Sequence, residues 1–269
     1  MATTPQLSLR PAPAAQASLP DGDAAAAASS LGAPAVVLIH GMASSSERDF
    51  EQSGWVRALH EAGRDVVLVD LPGHGTAAGD GGAVGGAAAG EGGAEVPVLD
   101  VPELLGHIAA GVAELVAGPV DVLGFSLGSR LAWDLPAAGL DVRRLALVGL
   151  APQEPFGALD PQAFAAVVLE GAAPADPLTG MIAGMVAQPE AGRAERVGLV
   201  AALGATPFDP QAAPAVPALV AAGAEDPVAG SPEWAAAVLS AGQTLVVPGD
   251  HVGSLLSEEF RAAALAFLA

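Results

Sequence analysis

The chain has 269 residues, 52% hydrophobic and 15% charged, with a formal net charge of -20 and a mean hydropathy of +0.48. It is long enough to bury a full core and too apolar to be a disordered acidic protein. Ten basic residues against thirty acidic ones exclude a basic patch for nucleic acid or an anionic membrane.

The chain has no Cys, Lys, Asn or Tyr. Disulfides, thiolate zinc sites, Cys nucleophiles, Schiff bases and a P-loop lysine are therefore excluded. Codons for Lys and Asn begin AA and those for Tyr begin TA, so their joint absence indicates a GC-rich gene. No apolar run approaches the ~18 residues of a membrane span. Residues 1–30 lack a basic segment ahead of an apolar one. The expectation is a cytoplasmic bacterial protein without a membrane partner.

In chain order, residues 1–34 read as a loose Pro/Ala/Ser-rich segment with a possible edge strand near Leu7–Leu9. Residues 35–39 and 65–69 are continuous apolar runs of strand length, as in a parallel sheet covered on both faces. A helix is expected over 55–62. Residues 76–96 are almost entirely Gly, Ala and acid, and read as a flexible surface insertion. Helical spacing runs from Val101 to Ala117 and stops at Gly118-Pro119. A strand at 120–123, a helix at 126–135 and a strand at 144–148 follow. Residues 151–213 lose the strand rhythm, with helical patterns at 161–170 and 178–187. Strands at 218–222 and 244–247 and helices at 232–240 and 258–268 complete the chain. The alternation implies an α/β fold, a mostly parallel sheet with helices on both faces. Residues 35–269 read as one domain, with a lid inserted at about 151–213.

Gly124-Phe-Ser-Leu-Gly128 fits G-x-S-x-G between a buried strand and a helix. The glycines permit a sharp turn that projects Ser126 at the carboxyl end of the sheet. His40-Gly41-Met42 follows the first buried strand, and Asp70-Leu-Pro-Gly-His-Gly75 the second. On these motifs residues 35–269 resemble the α/β-hydrolase superfamily. Ser44–Ser46 and Trp55 also sit where members of that superfamily often have them.

The resemblance implies a serine nucleophile, Ser126, with a base and an acid later in the chain. His251 is the only His after Ser126, just past the last strand. Asp226, in the tight turn of Gly223-Ala-Glu-Asp-Pro227, is the expected acid, with Glu225 as the alternative. The Met42 and Leu127 N–H groups would form the oxyanion hole. His40 and His74 belong to bracing turns, and His60 and His107 to helices. No pair of histidines has metal-ligand spacing, and neither a metal nor a cofactor is expected. Phe125, Met181 and Met185 are expected to touch substrate; for the two methionines, packing of the lid is the competing reading.

The implied function is hydrolysis of a small or medium carboxylic ester through an acyl-enzyme. One alternative is a lyase or C–C hydrolase. Gly124 to Arg130 is similar to the elbow of the menaquinone-pathway synthase that eliminates pyruvate, although Phe125 replaces a Tyr, and only Arg193 and Arg196 supply basic charge in the lid. The other alternative is a non-catalytic binding protein on the same fold.

Overall fold

The computed structural model describes residues 6–12, 33–78 and 96–269. Most of the expected 76–96 insertion and of the 1–34 segment lies outside the described residues. Seven strands form one sheet in the order β1-β3-β2-β4-β5-β6-β7. They are β1 (Ser8–Pro11), β2 (Val36–Ile39), β3 (Val66–Asp70), β4 (Val120–Phe125), β5 (Val142–Val148), β6 (Ala218–Gly223) and β7 (Gly242–Val247). β1 pairs antiparallel with β3, and every other pairing is parallel. Pro11 ends β1 at the sheet edge, where a missing N–H costs no ladder bond.

The apolar runs of β2 and β3 supply both faces of the sheet. Val37, Ile39, Val67 and Val69 join one core with residues of α2 (Val101–Leu115) and α3 (Leu127–Asp134). Val36, Leu38, Val66 and Leu68 join the opposite core with α1 (Trp55–Glu61) and, at the end of the chain, α9 (Glu258–Leu268). The period-two alternation of a strand requires this division. Each fully covered Leu or Ile contributes about 1.5–3 kcal/mol.

The stretch between β5 and β6 carries α4 (Pro161–Ala165), α5 (Pro177–Val186) and α6 (Arg193–Ala205). It has a small core of its own, including Phe164, Val168, Ile182, Val186, Val197 and Val200. A cavity of about 240 Å³ opens between Phe156, Leu159 and Phe164 on one side and Val200 and Gly204 on the other. The helical pattern expected at 161–170 is α4 followed by a π-helical turn, Ala166–Glu170.

Two helices lack a counterpart in the sequence reading. The 13-residue α6 contains Gly198 and Gly204, which dilute its apolar pattern. Both are close approaches of backbone: a Cβ on Gly198 would lie 2.5 Å from the Pro97 carbonyl oxygen, and one on Gly204 2.8 Å from that of Phe156. The short α8 (His251–Leu256) begins at a residue read as loop. Between β6 and β7, α7 (Trp234–Val238) covers part of the expected 232–240. Among the described residues, no helix is long and apolar enough to cross a membrane.

The chain runs outward from β2 to β3 and then returns to place β4 on the other side of β2. Strand order reverses there, so the loops after β2 and β4 diverge and leave a crevice at their carboxyl ends. Ser126 and the loop that begins at His40 both lie at that crevice.

Candidate active site

Ser126 joins β4 to α3 with φ 51° and ψ −114°. A side chain at positive φ costs of order 1–3 kcal/mol and persists only where its surroundings enforce it. Both glycines of the motif are needed for that. A Cβ on Gly128 would lie 1.9 Å from the Ile39 carbonyl oxygen, and one on Gly124 would lie 2.6 Å from that of Gly128. With no side chains there, α3 packs directly on β2 and β4. Ser126 N–H donates to the Val148 carbonyl (2.9 Å), and its own carbonyl accepts from Arg130 N–H (3.0 Å).

His251 Nε2 lies 2.8 Å from Ser126 Oγ, and His251 Nδ1 2.8 Å from Asp226 Oδ2. Asp226 is an acceptor only, so Nδ1 carries the hydrogen and Nε2 is free to take one from the serine. The other Asp226 oxygen accepts from the Val228 (2.8 Å) and Ala229 (3.0 Å) N–H groups, which fixes the carboxylate. Glu225, the alternative acid, is exposed, while Asp226 is buried and is the carboxylate hydrogen-bonded to His251. Asp250 caps α8 by accepting from Gly253 N–H (2.8 Å), which sets the helix that begins at His251. Trp55 braces the other end of α8, donating from Nε1 to the Leu255 carbonyl (3.0 Å).

The loop after β2 turns its N–H groups in different directions. Gly41 N–H donates to Asp49 Oδ2 (2.9 Å) and Ala43 N–H to His74 Nε2 (3.0 Å). Asp49 Oδ1 also accepts from the Ser44 hydroxyl (2.5 Å). Between these two anchored amides, Met42 N–H donates to no protein group among the described residues, and neither does Leu127 N–H at the start of α3. These are the two donors expected for an oxyanion hole. Ala43 has φ 55°, a second strained residue beside the crevice.

Asp70, His40 and His74 hold this loop from beneath. The His40 Nδ1–H donates to the Gly41 carbonyl (2.7 Å), and its Nε2 accepts from Leu71 N–H (3.0 Å). The His74 Nδ1–H donates to the Pro72 carbonyl (2.8 Å). Both rings thus need a bare Nε2. Burial, the main cause, pushes both below the ordinary histidine value of 6.5, His74 to about 3, with His40 adding to the effect on His74. Burial raises Asp70, but N–H donors from Ser46 and Thr76 and the Thr76 hydroxyl outweigh it, and its carboxyl is held below the usual range.

The residues expected to touch substrate are placed differently. Phe125 is 5% exposed, because strand alternation sends it with Leu123 into the core under the sheet. Its ring lies 5.2 Å from that of His251, so it packs beneath the imidazole and offers little surface to a ligand. Met181 and Met185 occupy the exposed side of α5, at 58% and 47%, while Ile182 and Val186 pack inward. His60 and His107 lie on α1 and α2, away from the site. Among the described residues, no group of three His, Asp or Glu side chains could hold a metal.

Sequence reasoning missed Asp49 and Gly149. Asp49 sits in a π-helical turn, Glu47–Glu51, inside a polar run that matches no motif. Gly149 ends β5 against His251, and nothing but its place after an apolar strand marks it.

No curated protein matches this sequence. Among solved structures the chain is similar to a hydrolase from Pseudomonas aeruginosa PA01, with a TM-score of 0.66 and 20% identity over 98% of this chain and 94% of that one. It is also similar to a thermophilic esterase from Thermogutta terrifontis (TM-score 0.63, 16% identity, 97% and 92% covered). A third similar structure is MenH from S. aureus (TM-score 0.61, 15% identity, 87% and 93% covered). At these identities the likeness is one of fold. The sequence profile of the alpha/beta hydrolase family matches residues 36–266. On that match, which spans most of its length, the chain belongs to the alpha/beta hydrolase family.

Proposed function

We propose that this hydrolase cleaves a small or medium carboxylic ester through an acyl-enzyme on Ser126. The observation that carries the reading is the hydrogen-bonded series Ser126–His251–Asp226 beside two backbone N–H groups that are undonated among the described residues. His251 Nε2 takes the Ser126 proton as Oγ attacks the ester carbonyl carbon. Asp226 holds the tautomer and stabilises the imidazolium. Met42 and Leu127 N–H groups bind the oxyanion, and loss of one such donor typically costs about 2.7–4 kcal/mol. The imidazolium then protonates the leaving alcohol. Water attacks the acyl carbon with His251 again as base, which frees the acid and restores Ser126. The segment between β5 and β6 serves as the lid over this site.

The second reading is a lyase or C–C hydrolase similar to the menaquinone-pathway synthase, motivated by the Arg that ends the elbow. The surroundings of Arg130 weigh against it. Its Nε lies 2.5 Å from Glu154 Oε1, Nη1 donates to Asp134 (2.5 Å), and Nη2 to the Thr206 carbonyl (3.2 Å). Its guanidinium also lies over the Phe208 ring, 4.9 Å from the centroid. Arg193 and Arg196 spend donors on backbone carbonyls as well. A multiply anionic substrate has few cations left to bind it.

The test is turnover of p-nitrophenyl esters from acetate upward in acyl length. Saturable hydrolysis that Ser126→Ala abolishes supports the esterase reading. Failure across the series, with Ser126 still reactive to an acylating probe, favours the elimination or C–C cleavage reading.

A further inference from the structure

We infer that Arg196 is a positioning residue: it fastens the segment between β5 and β6 to the turn after β3, and through His74 it holds the oxyanion loop in register. The inference rests on the serine-hydrolase reading for its kinetic consequences. Its structural core does not.

Arg196 is 1% exposed, near the start of α6. Among the described residues, every hydrogen-bond acceptor of its guanidinium is a backbone carbonyl. Nε donates to Val186 (2.8 Å), Nη1 to Ala191 (2.9 Å) and to Gly73, and Nη2 to Pro189. Among the described residues no carboxylate hydrogen-bonds to it, and withdrawing a cation from water is expensive. Packing α6 requires no charge here, and a neutral side chain would avoid the cost. The planar fork does something a neutral side chain would not: it gathers carbonyls from the end of α5, from the α5–α6 loop and from Gly73.

Gly73 lies 123 residues from Arg196 in sequence, and a second contact joins the same two regions. A Cβ on Gly73 would lie 2.3 Å from the Gly192 carbonyl oxygen, and one on Gly192 would lie 2.4 Å from that of Gly73. Both residues have positive φ, +74° and +72°. The two backbones therefore touch, and the guanidinium closes over the junction.

The next residue after Gly73 is His74. Its peptide plane starts at the Gly73 carbonyl that Arg196 holds. Its ring is aimed by the Pro72 carbonyl, and its Nε2 accepts the N–H of Ala43. Ala43 is strained at φ 55° and follows Met42, whose N–H donates to no protein group among the described residues. A guanidinium–carbonyl bond, a peptide plane and a ring–amide bond thus connect the helical segment to the oxyanion donor. Release of the Gly73 carbonyl leaves the plane that carries His74 free to turn, and the strained Ala43 loses the contact that enforces its geometry. Arg193, three residues earlier, donates to Ala187 and pairs with Glu190 without reaching Gly73, so it separates charge on α6 from contact with the turn.

The experiment compares wild type, Arg196→Met, Arg196→Lys, His74→Ala, the Arg196→Met/His74→Ala double variant and Arg193→Ala as control. Three quantities are read: amide hydrogen exchange in the peptide covering residues 42–46, the inhibition constant of an alkyl boronic acid that adds to Ser126 as a tetrahedral anion, and kcat and KM on a p-nitrophenyl ester. For Arg196→Met we expect faster exchange in that peptide and a roughly tenfold loss in both boronate affinity and kcat, the size of one charge-assisted hydrogen bond. KM should stay within about twofold. The double variant should lose little more than His74→Ala alone, since both act on Ala43. Arg193→Ala should match wild type.

A folded Arg196→Met protein with wild-type exchange and boronate affinity overturns the inference. So does full additivity with His74→Ala. If Arg196→Met does not fold, Arg196→Lys keeps the cation but loses the fork, and it should show a partial loss of the same kind; wild-type values there overturn the inference equally. If the wild type neither binds the boronate nor turns over esters while exchange still rises in Arg196→Met, the hydrolase reading fails and the positioning role stands.

Discussion

Gly149 lies directly against His251: a Cβ on that glycine would sit 2.9 Å from His251 Cε1 and 3.3 Å from Nδ1. Phe125 packs against the same ring. The imidazole is thus seated between an aromatic face and a bare backbone. Gly149 also has φ +71°, which a side chain adopts only with strain.

Gly149→Ala is therefore expected to displace the imidazole from Ser126 and lower kcat about 100-fold, as misplacement of a catalytic group by about 1 Å does. Circular dichroism should show a folded protein. Near-normal kcat would mean that the ring can shift without loss of its bonds to Ser126 and Asp226.

Ser126→Ala is expected to abolish ester hydrolysis and leave the melting temperature nearly unchanged, because Ser126 contributes little packing. Ser126→Gly should be equally inactive but more stable than Ser126→Ala by about 1 kcal/mol, since glycine accepts φ 51° without penalty. Chemical denaturation of the two variants checks the difference. Equal stabilities would show that the turn is unstrained.

Asp226→Asn should cost far more kcat than Glu225→Gln. The amide can present N–H to His251 Nδ1, which selects the wrong tautomer. Glu225 is exposed, and His251 Nδ1 is hydrogen-bonded to Asp226 instead. The reverse ranking in steady-state kinetics would move the acid to Glu225.

Stability should decline on the acid side of neutrality. His40 and His74 have lowered values in the folded protein, so the unfolded chain takes up protons first as pH falls. The contribution of His74 is complete above about 6.5 and is lost as pH falls toward about 3, and that of His40 changes in the same direction. Glu154, held above its ordinary value chiefly by burial, works in the opposite sense but is a single group. Melting temperature measured between about pH 7.5 and pH 4.5 should fall by several degrees. In His74→Ala the slope should be shallower. An unchanged slope would show that His74 titrates normally.

Much of this architecture was legible because it rests on short-range chemistry. β2 and β3 are buried on both faces and so appear as unbroken apolar runs. Ser126, Asp226 and His251 each follow a strand, and two of them stand in Gly-bounded turns. What was hidden depends on tertiary contact. Gly198 and Gly204 weaken the helical pattern of α6 because another backbone crosses there. Asp49 has no local signal, since its partners are an amide and a hydroxyl fixed by the loop before it. The place of Phe125 beside Ser126 suggested substrate contact, yet strand alternation turns it into the core.

A fluorophosphonate probe should label this protein once, at Ser126. Its phosphorus becomes tetrahedral and anionic on the enzyme, so the reaction needs the nucleophile, His251 and the two N–H donors together. The chain has no Cys, Lys or Tyr, so few side chains can compete. Peptide mapping after cleavage at Arg130 places Ser126 near the end of its fragment. His251→Ala should nearly abolish labelling, because the serine then has no base. His60→Ala and His107→Ala should label normally, since both lie on helices away from the site. Prior heating should abolish labelling, because an unfolded serine has neither base nor oxyanion donors. Equal labelling of folded and heated protein would show that the reaction is nonspecific. A folded protein that resists the probe would favour the binding-protein reading over the esterase.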